Sequence, residues 1–338
     1  MGHDFYQTII QYFSINRIKF IKRITKDSSN SSLLWAVYTE KNSYPTFFLK
    51  QLNLSKMEVD TIGSLINQLI LSGLPLAKWE RLISGPGYCI EIGKNLSVVV
   101  EQALMGHPLT NENCKNQPIF KQVAITLAKI HNELSFVDIN QSNIALSHFT
   151  KSVEQSYQFF DYIRNNVFMK GNKTIGQSLI KKWFSTHQNI LSQQLFILEK
   201  EFASFVKETN NQIILGDCNY TNILFYNNYL SGIVDYEDIH VGPCEVDILS
   251  FCMYRRNKIY FPSILKEFLS IYHLYSARKI NKHRLFLVAR IIIYKRIFKY
   301  LAKAFNQINH EKITAILKDI DELLEIDEKL NSSQTEFC

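Results

Sequence analysis

Three side chains in one short stretch of this sequence have the types and spacing that phosphoryl transfer needs. Asp217 stands in Leu215-Gly216-Asp217, Asn222 follows five residues later, and Asp235 closes the run Gly232-Ile233-Val234-Asp235, 18 residues beyond Asp217. Moving a phosphoryl group to a hydroxyl takes a base that orients and deprotonates the attacking oxygen. It also takes hard oxygen ligands that hold Mg²⁺ on the transferring phosphate. Asp217 suits the first task. Asn222 and Asp235 suit the second, since magnesium keeps much of its shell as water and phosphate oxygens and needs few protein ligands.

An Asp and an Asn five apart occur often by chance, and it is the setting that singles out this copy. An apolar strand precedes Asp217, and Ile223-Leu224-Phe225 forms another directly after Asn222. A turn at Asn227-Asn228 then leads into the strand that ends at Asp235. The predicted hairpin can bring all three polar side chains to one edge of a sheet. Gly242-Pro243 and Val246-Asp247-Ile248-Leu249 complete the segment.

With these parts in order, residues 213–251 resemble the catalytic segment of the aminoglycoside phosphotransferase, choline kinase and type II homoserine kinase superfamily. The matching positions are Gly216, Asp217, Asn222, Leu224, Asp235, Gly242, Pro243 and Asp247. The resemblance implies a protein-kinase-like fold with Asp217 as catalytic base, Asn222 and Asp235 on Mg²⁺, and Asp247 anchoring the catalytic loop. It departs at Leu215, where the family usually has histidine.

The elements that must position these residues fit that fold. Runs at 17–25, 33–40, 44–52, 88–93 and 96–104 read as strands, with one helix over Ser55 to Leu71 capped by Ser55 and stopped at Gly73-Leu74-Pro75. Beyond Gly106 the chain turns helical, through about 118–134, 153–167, 175–208, 262–278, 283–306 and 310–329. The expected class is α+β and bilobal. A small antiparallel sheet with one helix (1–105) forms an N-lobe for the nucleotide, and a larger, mainly helical C-lobe (106–338) carries the catalytic loop, metal site and substrate helices.

The resemblance extends to looser motifs. Lys50 is placed like the strand lysine that contacts nucleotide α- and β-phosphates. Its ion-pair partner is expected on the following helix, with Glu58 preferred to Asp60. The turn 26–32, with Ser29 and Asn30 at its centre, takes the place of a phosphate-covering loop. Glu101, Gln102 and Ala103 end a strand where an inter-lobe hinge would offer backbone groups to the base of ATP or GTP. His131 is expected to be a buried structural histidine.

Composition narrows the remaining classes. Hydrophobic residues make up 46% and charged ones 20%, as in a folded globular chain. Six cysteines without a Cys-x-x-Cys pair, and no apparent signal peptide, point to reduced thiols and a cytoplasmic protein. Five basic residues interrupt the most apolar stretch, Leu285 to Phe305, which excludes a membrane span there. The net charge of +7 is dispersed and carries no nucleic-acid motif. The expected partner is a small-molecule hydroxyl substrate, and the chain is expected to be a monomer or homodimer. The basic run Tyr254-Arg255-Arg256-Asn257-Lys258 leans toward a neutral or acidic acceptor. The sequence thus reads as an ATP- or GTP- and Mg²⁺-dependent phosphotransferase. A protein-kinase-like effector and a nucleotide-binding module without transfer activity are the alternatives.

Overall fold

A computed structural model describes residues 3–15, 17–24, 33–40, 42–109, 117–139, 144, 156–158, 160–162, 164–165, 175–205, 211–253, 261–305, 307 and 309–333. Packing divides the chain into two compact units. The first comprises Met1–Ala145, Gln212–Val241 and Leu274–Ala277, and the second Leu146–Asn211, Gly242–His273 and Arg278–Cys338. The polar triplet and Lys50 all fall in the first.

Strands β1 (Ile18–Ile24), β2 (Leu34–Thr39), β3 (Phe47–Leu52), β4 (Cys89–Gly93) and β5 (Leu96–Gln102) pair antiparallel in the order β1-β2-β3-β5-β4. Side chains alternate across the pleat. Trp35, Val37, Leu49, Val98 and Val100 share one face and bury against Tyr6, Ile9, Ile10 and Phe13. The first three of these belong to a helix, α1 (His3–Ile10), that was not anticipated. Its signal is present in the sequence, since Tyr6, Ile9, Ile10 and Phe13 recur at the three- and four-residue spacing of a helical face.

The second helix, α2 (Lys56–Leu71), starts where expected. Ser55 caps it in a reciprocal capping box with Glu58, and Val59, Ile62, Leu65, Ile66 and Leu69 are buried. From its end the chain runs through Pro75–Glu80, which joins two sheets. On one side Glu80 N donates to Val100 O (2.8 Å) and Gln102 N to Lys78 O (2.8 Å). On the other, Ala77 N donates to Ile233 O (3.0 Å) and Ile233 N to Pro75 O (2.9 Å).

The rest of the first unit carries the chemistry-bearing segment. Strand β6 (His107–Pro108) pairs with β8 (Ile223–Tyr226), and β8 with β9 (Tyr229–Ile233). Asn227 and Asn228 connect β8 to β9 with φ of 50° and 64°, the left-handed pair that a two-residue hairpin turn requires. Strand β7 (Gln212–Ile214) pairs with β10 (His240–Gly242), and α3 (Gln117–Leu134) packs on β7 and β9.

The second unit is helical among the described residues. Helices α4 (Ile175–Phe205), α7 (Lys282–Phe305) and α8 (His310–Ser333) pack on one another, and α5 (Glu245–Cys252) packs on α7; α6 spans Phe261–Tyr275. Ile313, Ile316, Ile320, Leu323 and Ile326 bury the apolar stripe of α8. Two basic residues of α7 are engaged inside the unit. Arg290 Nε meets Asp327 Oδ1 at 3.0 Å, and Arg296 Nη1 donates to Met253 O at 2.8 Å. No helix among the described residues is long and apolar enough to cross a membrane. Cys89, Cys218, Cys244 and Cys252 are buried free thiols, and Cys114 and Cys338 lie outside the described residues.

Candidate active site

Asp217 is held by its own loop. The chain leaves β7 through the buried Leu215 and turns at Gly216, whose φ is +82°. A Cβ there would run into the Asp238 carbonyl oxygen and lie 2.8 Å from His240 Nδ1, so the turn admits only glycine. Asn219 Nδ2 then donates to Asp217 Oδ1 (2.7 Å), and Asn222 Nδ2 donates to Asp217 Oδ2 (3.1 Å) and to its main-chain oxygen (3.0 Å). Both carboxylate oxygens are thus oriented by amide donors. Burial raises the pKa of Asp217, and the charges of Asp238 and Asp235 raise it further, while the two asparagine bonds pull the other way. The net shift is upward.

The same hairpin brings in the second carboxylate. Ile223 pairs with Ile233, and Val234 N donates to Asn222 O at 2.9 Å, so Asn222 and Asp235 leave adjacent strand ends. Asp235 adopts a φ of +71°, a left-handed conformation that Asp tolerates better than most residues. Next to it, Tyr236 is wholly buried and its hydroxyl accepts from Ala77 N (2.6 Å) while donating to Ile233 O. This tyrosine fastens the Asp235 turn to the Pro75–Glu80 segment.

Lys50 reaches the site from the central strand β3. Its Nζ lies 2.8 Å from Glu101 Oε1 and 3.5 Å from Asp235 Oδ1. Burial alone would lower the lysine pKa; Glu101 first and Asp235 second outweigh it, so the ammonium sits above its ordinary value and stays charged. Lys50, Glu101, Asn222 and Asp235 line one cavity of about 440 Å³ with Leu34 and Phe48.

The donor chemistry fits a magnesium ion carried in with nucleotide phosphates. Asn222 spends its amide hydrogens on Asp217 and so turns its oxygen outward from that contact, and Asp235 offers a carboxylate that is a quarter exposed. Two hard oxygen donors of this kind suit a metal that retains water and phosphate ligands. No cluster of three or more His, Cys, Asp or Glu suited to a metal occurs among the described residues.

Comparison with known proteins decides the wider relation. Residues 146–283 match the model of a phosphotransferase enzyme family. Spectinomycin phosphotransferase crystallised with ADP and spectinomycin superposes with a TM-score of 0.72 over 98% of each chain at 15% identity. An aminoglycoside phosphotransferase from Alicyclobacillus acidocaldarius gives 0.66 over 98% of this chain and 95% of its own at 12% identity. An amicoumacin kinase in complex with AMP-PNP, Ca²⁺ and Ami gives 0.63 over 94% of this chain and 90% of its own at 11% identity. The fold is that of the aminoglycoside phosphotransferases. No curated protein sequence matches the chain. The family model matched by residues 146–283 thus agrees with the resemblance of the catalytic segment.

Within this phosphotransferase fold several expected placements change. Glu58 does not meet Lys50: its carboxylate accepts from Ser55 N (2.9 Å) and Ser55 Oγ (2.7 Å), closing the start of α2. Asp60 is also committed elsewhere, to Lys56 (3.1 Å) and to Tyr88 N (2.7 Å). Glu101, whose backbone groups were expected at a hinge, supplies the side-chain carboxylate that pairs with Lys50. Ala103 was likewise expected to offer backbone groups there, and its N–H donates to Thr46 O at 2.9 Å. Ser29 and Asn30, and the basic run 254–258, lie outside the described residues. His131 is buried in α3, and Asp247 is buried at the start of α5 in the second unit. Trp79 and Tyr236 went unremarked in the sequence. Each is a large aromatic with a polar atom next to a charged position, a combination that requires a partner once buried.

Proposed function

We propose that this protein is a small-molecule kinase that transfers the γ-phosphoryl group of Mg·ATP or Mg·GTP to a hydroxyl group. The observation that carries the reading is the convergence of Lys50, Asn222 and Asp235 on one cavity, with Asp217 hydrogen-bonded to Asn222. The structural neighbours crystallised with ADP and with AMP-PNP support nucleotide binding by this fold.

Each residue then has a task. Lys50 neutralises negative charge on the nucleotide phosphates, its ammonium kept protonated by Glu101 and Asp235. Asn222 and Asp235 would hold magnesium through their oxygens, and the ion would supply positive charge against that building on the transferring phosphate. Asp217 accepts the proton of the attacking hydroxyl as the oxygen–phosphorus bond forms and the bond to the leaving nucleoside diphosphate breaks. The Asn219 and Asn222 amides keep the carboxylate aimed and limit its rotation.

The test is a transfer assay with Mg·ATP and Mg·GTP against a panel spanning spectinomycin, aminoglycosides, choline, homoserine and simple sugars, run beside Asp217→Ala. Phosphorylation of a panel member that disappears in Asp217→Ala supports the reading and names the acceptor class. Transfer that survives Asp217→Ala removes Asp217 from its role. Nucleotide binding with no transfer to any acceptor or to water favours a binding module.

A further inference from the structure

We propose that Glu101, clamped by Trp79, is the positioning residue that aims Lys50 into the nucleotide cavity, so that the lysine is set from within its own sheet and not by a carboxylate of α2. The proposal rests on the kinase reading above and adds a residue to it.

Strand register makes the pair. Phe48 lies opposite Glu101 and Lys50 opposite Val99, which puts Lys50 and Glu101 diagonally on one face of neighbouring strands. Long side chains span that diagonal. Glu101 is 2% exposed, and a carboxylate so buried needs both a cation and hydrogen-bond donors. Lys50 supplies the first at 2.8 Å to Oε1, and Trp79 Nε1 supplies the second at 3.1 Å to Oε2. Trp79 is 1% exposed and bridges Glu101 through the backbone as well, between the bonds Glu80 N to Val100 O and Gln102 N to Lys78 O. The carboxylate is thus fixed at both oxygens.

The lysine is fixed in turn. Its ammonium has three N–H donors. One is taken by Glu101, and one is directed at Asp235, which leaves a third for a phosphate oxygen. Helix α2 contributes no charge to this arrangement. Its buried face is apolar (Val59, Ile62, Leu65, Ile66, Leu69), Glu58 closes the helix's own start, and Asp60 serves Lys56 and Tyr88. Assembling the lysine therefore requires no movement of α2, and the cavity is organised before nucleotide arrives.

The test is titration calorimetry of Mg·ATP, with a parallel Mg·GTP arm, on full-length protein. The variants are Lys50→Met, Glu101→Gln and Trp79→Phe, plus the last two in the Lys50→Met background, with folding checked by thermal melts. Trp79→Phe keeps the ring and removes only the N–H, so it carries the test if Glu101→Gln does not fold. Lys50→Met should weaken binding about tenfold or more, and Glu101→Gln nearly as much, as expected for a charged hydrogen bond. Trp79→Phe should weaken it a few-fold. In the Lys50→Met background neither change should add more than about twofold, because both act through the lysine. Losses that multiply in the double variants, or Glu101→Gln and Trp79→Phe binding like wild type while Lys50→Met does not, overturn the proposal. Wild-type protein that binds neither nucleotide overturns the kinase reading itself.

Discussion

Asp217 is pulled in two directions. Burial and the Asp238 and Asp235 charges disfavour its ionised form, while the Asn219 and Asn222 amides favour it, and the balance raises its pKa above the ordinary 3.8. A general base must be deprotonated to act. With Asp217 in its proposed role as base, activity should be present above the raised pKa and lost as pH falls through it, so the acidic limb of the rate profile should lie above 3.8. Asp238→Asn removes one raising charge and should move that limb to lower pH; a limb that stays in place would separate the profile from Asp217. At Gly216 the left-handed φ and the close Asp238 carbonyl make alanine strained, at about 1–3 kcal/mol. Gly216→Ala should lower the melting temperature and the transfer rate together, the second because the loop carrying Asp217 must shift. The coming together of Asp217, Asn222 and Asp235 could be read in the sequence because one local hairpin joins them.

At the scale of elements, pairing register carries what local patterns do not. Every strand of the five-stranded sheet was legible from apolar runs and polar turns, and so was the Ser55 cap. The partner of Lys50 was not, since Glu58 lies eight residues from it and Glu101 fifty-one, and only the β3–β5 register brings the second to it. Glu58 has the separate task of capping. Glu58→Ala should reduce stability by about 1 kcal/mol, measured as a lower melting temperature. Helix α1 was missed for a different reason: eight residues with two aromatics at their centre read as easily as strand until Phe13 extends the helical period. Its place in the core predicts that Ile10→Ala, at a site 2% exposed, costs about 2–5 kcal/mol in chemical denaturation. A loss under about 1 kcal/mol would mean that α1 does not cover the sheet.

Over the whole molecule the two compact units divide the work of folding. The first holds every residue assigned to chemistry here, in two segments, Met1–Ala145 and Gln212–Val241, that are far apart in the chain. The second is organised by a buried polar group, Arg290 with Asp327, which also accepts from the Tyr294 hydroxyl at 3.0 Å. Removing one partner leaves a buried charge unpaired, so Arg290→Ala should cost about 3–5 kcal/mol in unfolding experiments. Such a network was invisible beforehand, because Arg290 reads only as one of the charges that interrupt the apolar stretch Leu285 to Phe305, and the packing of α7 on α8 buries it.

The central claim is that Lys50, Asn222 and Asp235 form a magnesium-dependent nucleotide site beside Asp217. Its most direct test is calorimetric titration of ATP and of GTP into wild-type protein and Asp235→Asn, each with excess Mg²⁺ and with EDTA. One nucleotide should bind the wild type with Mg²⁺, and either EDTA or Asp235→Asn should weaken that binding by about tenfold or more. Binding indifferent to both, or no binding of either nucleotide, would contradict the account.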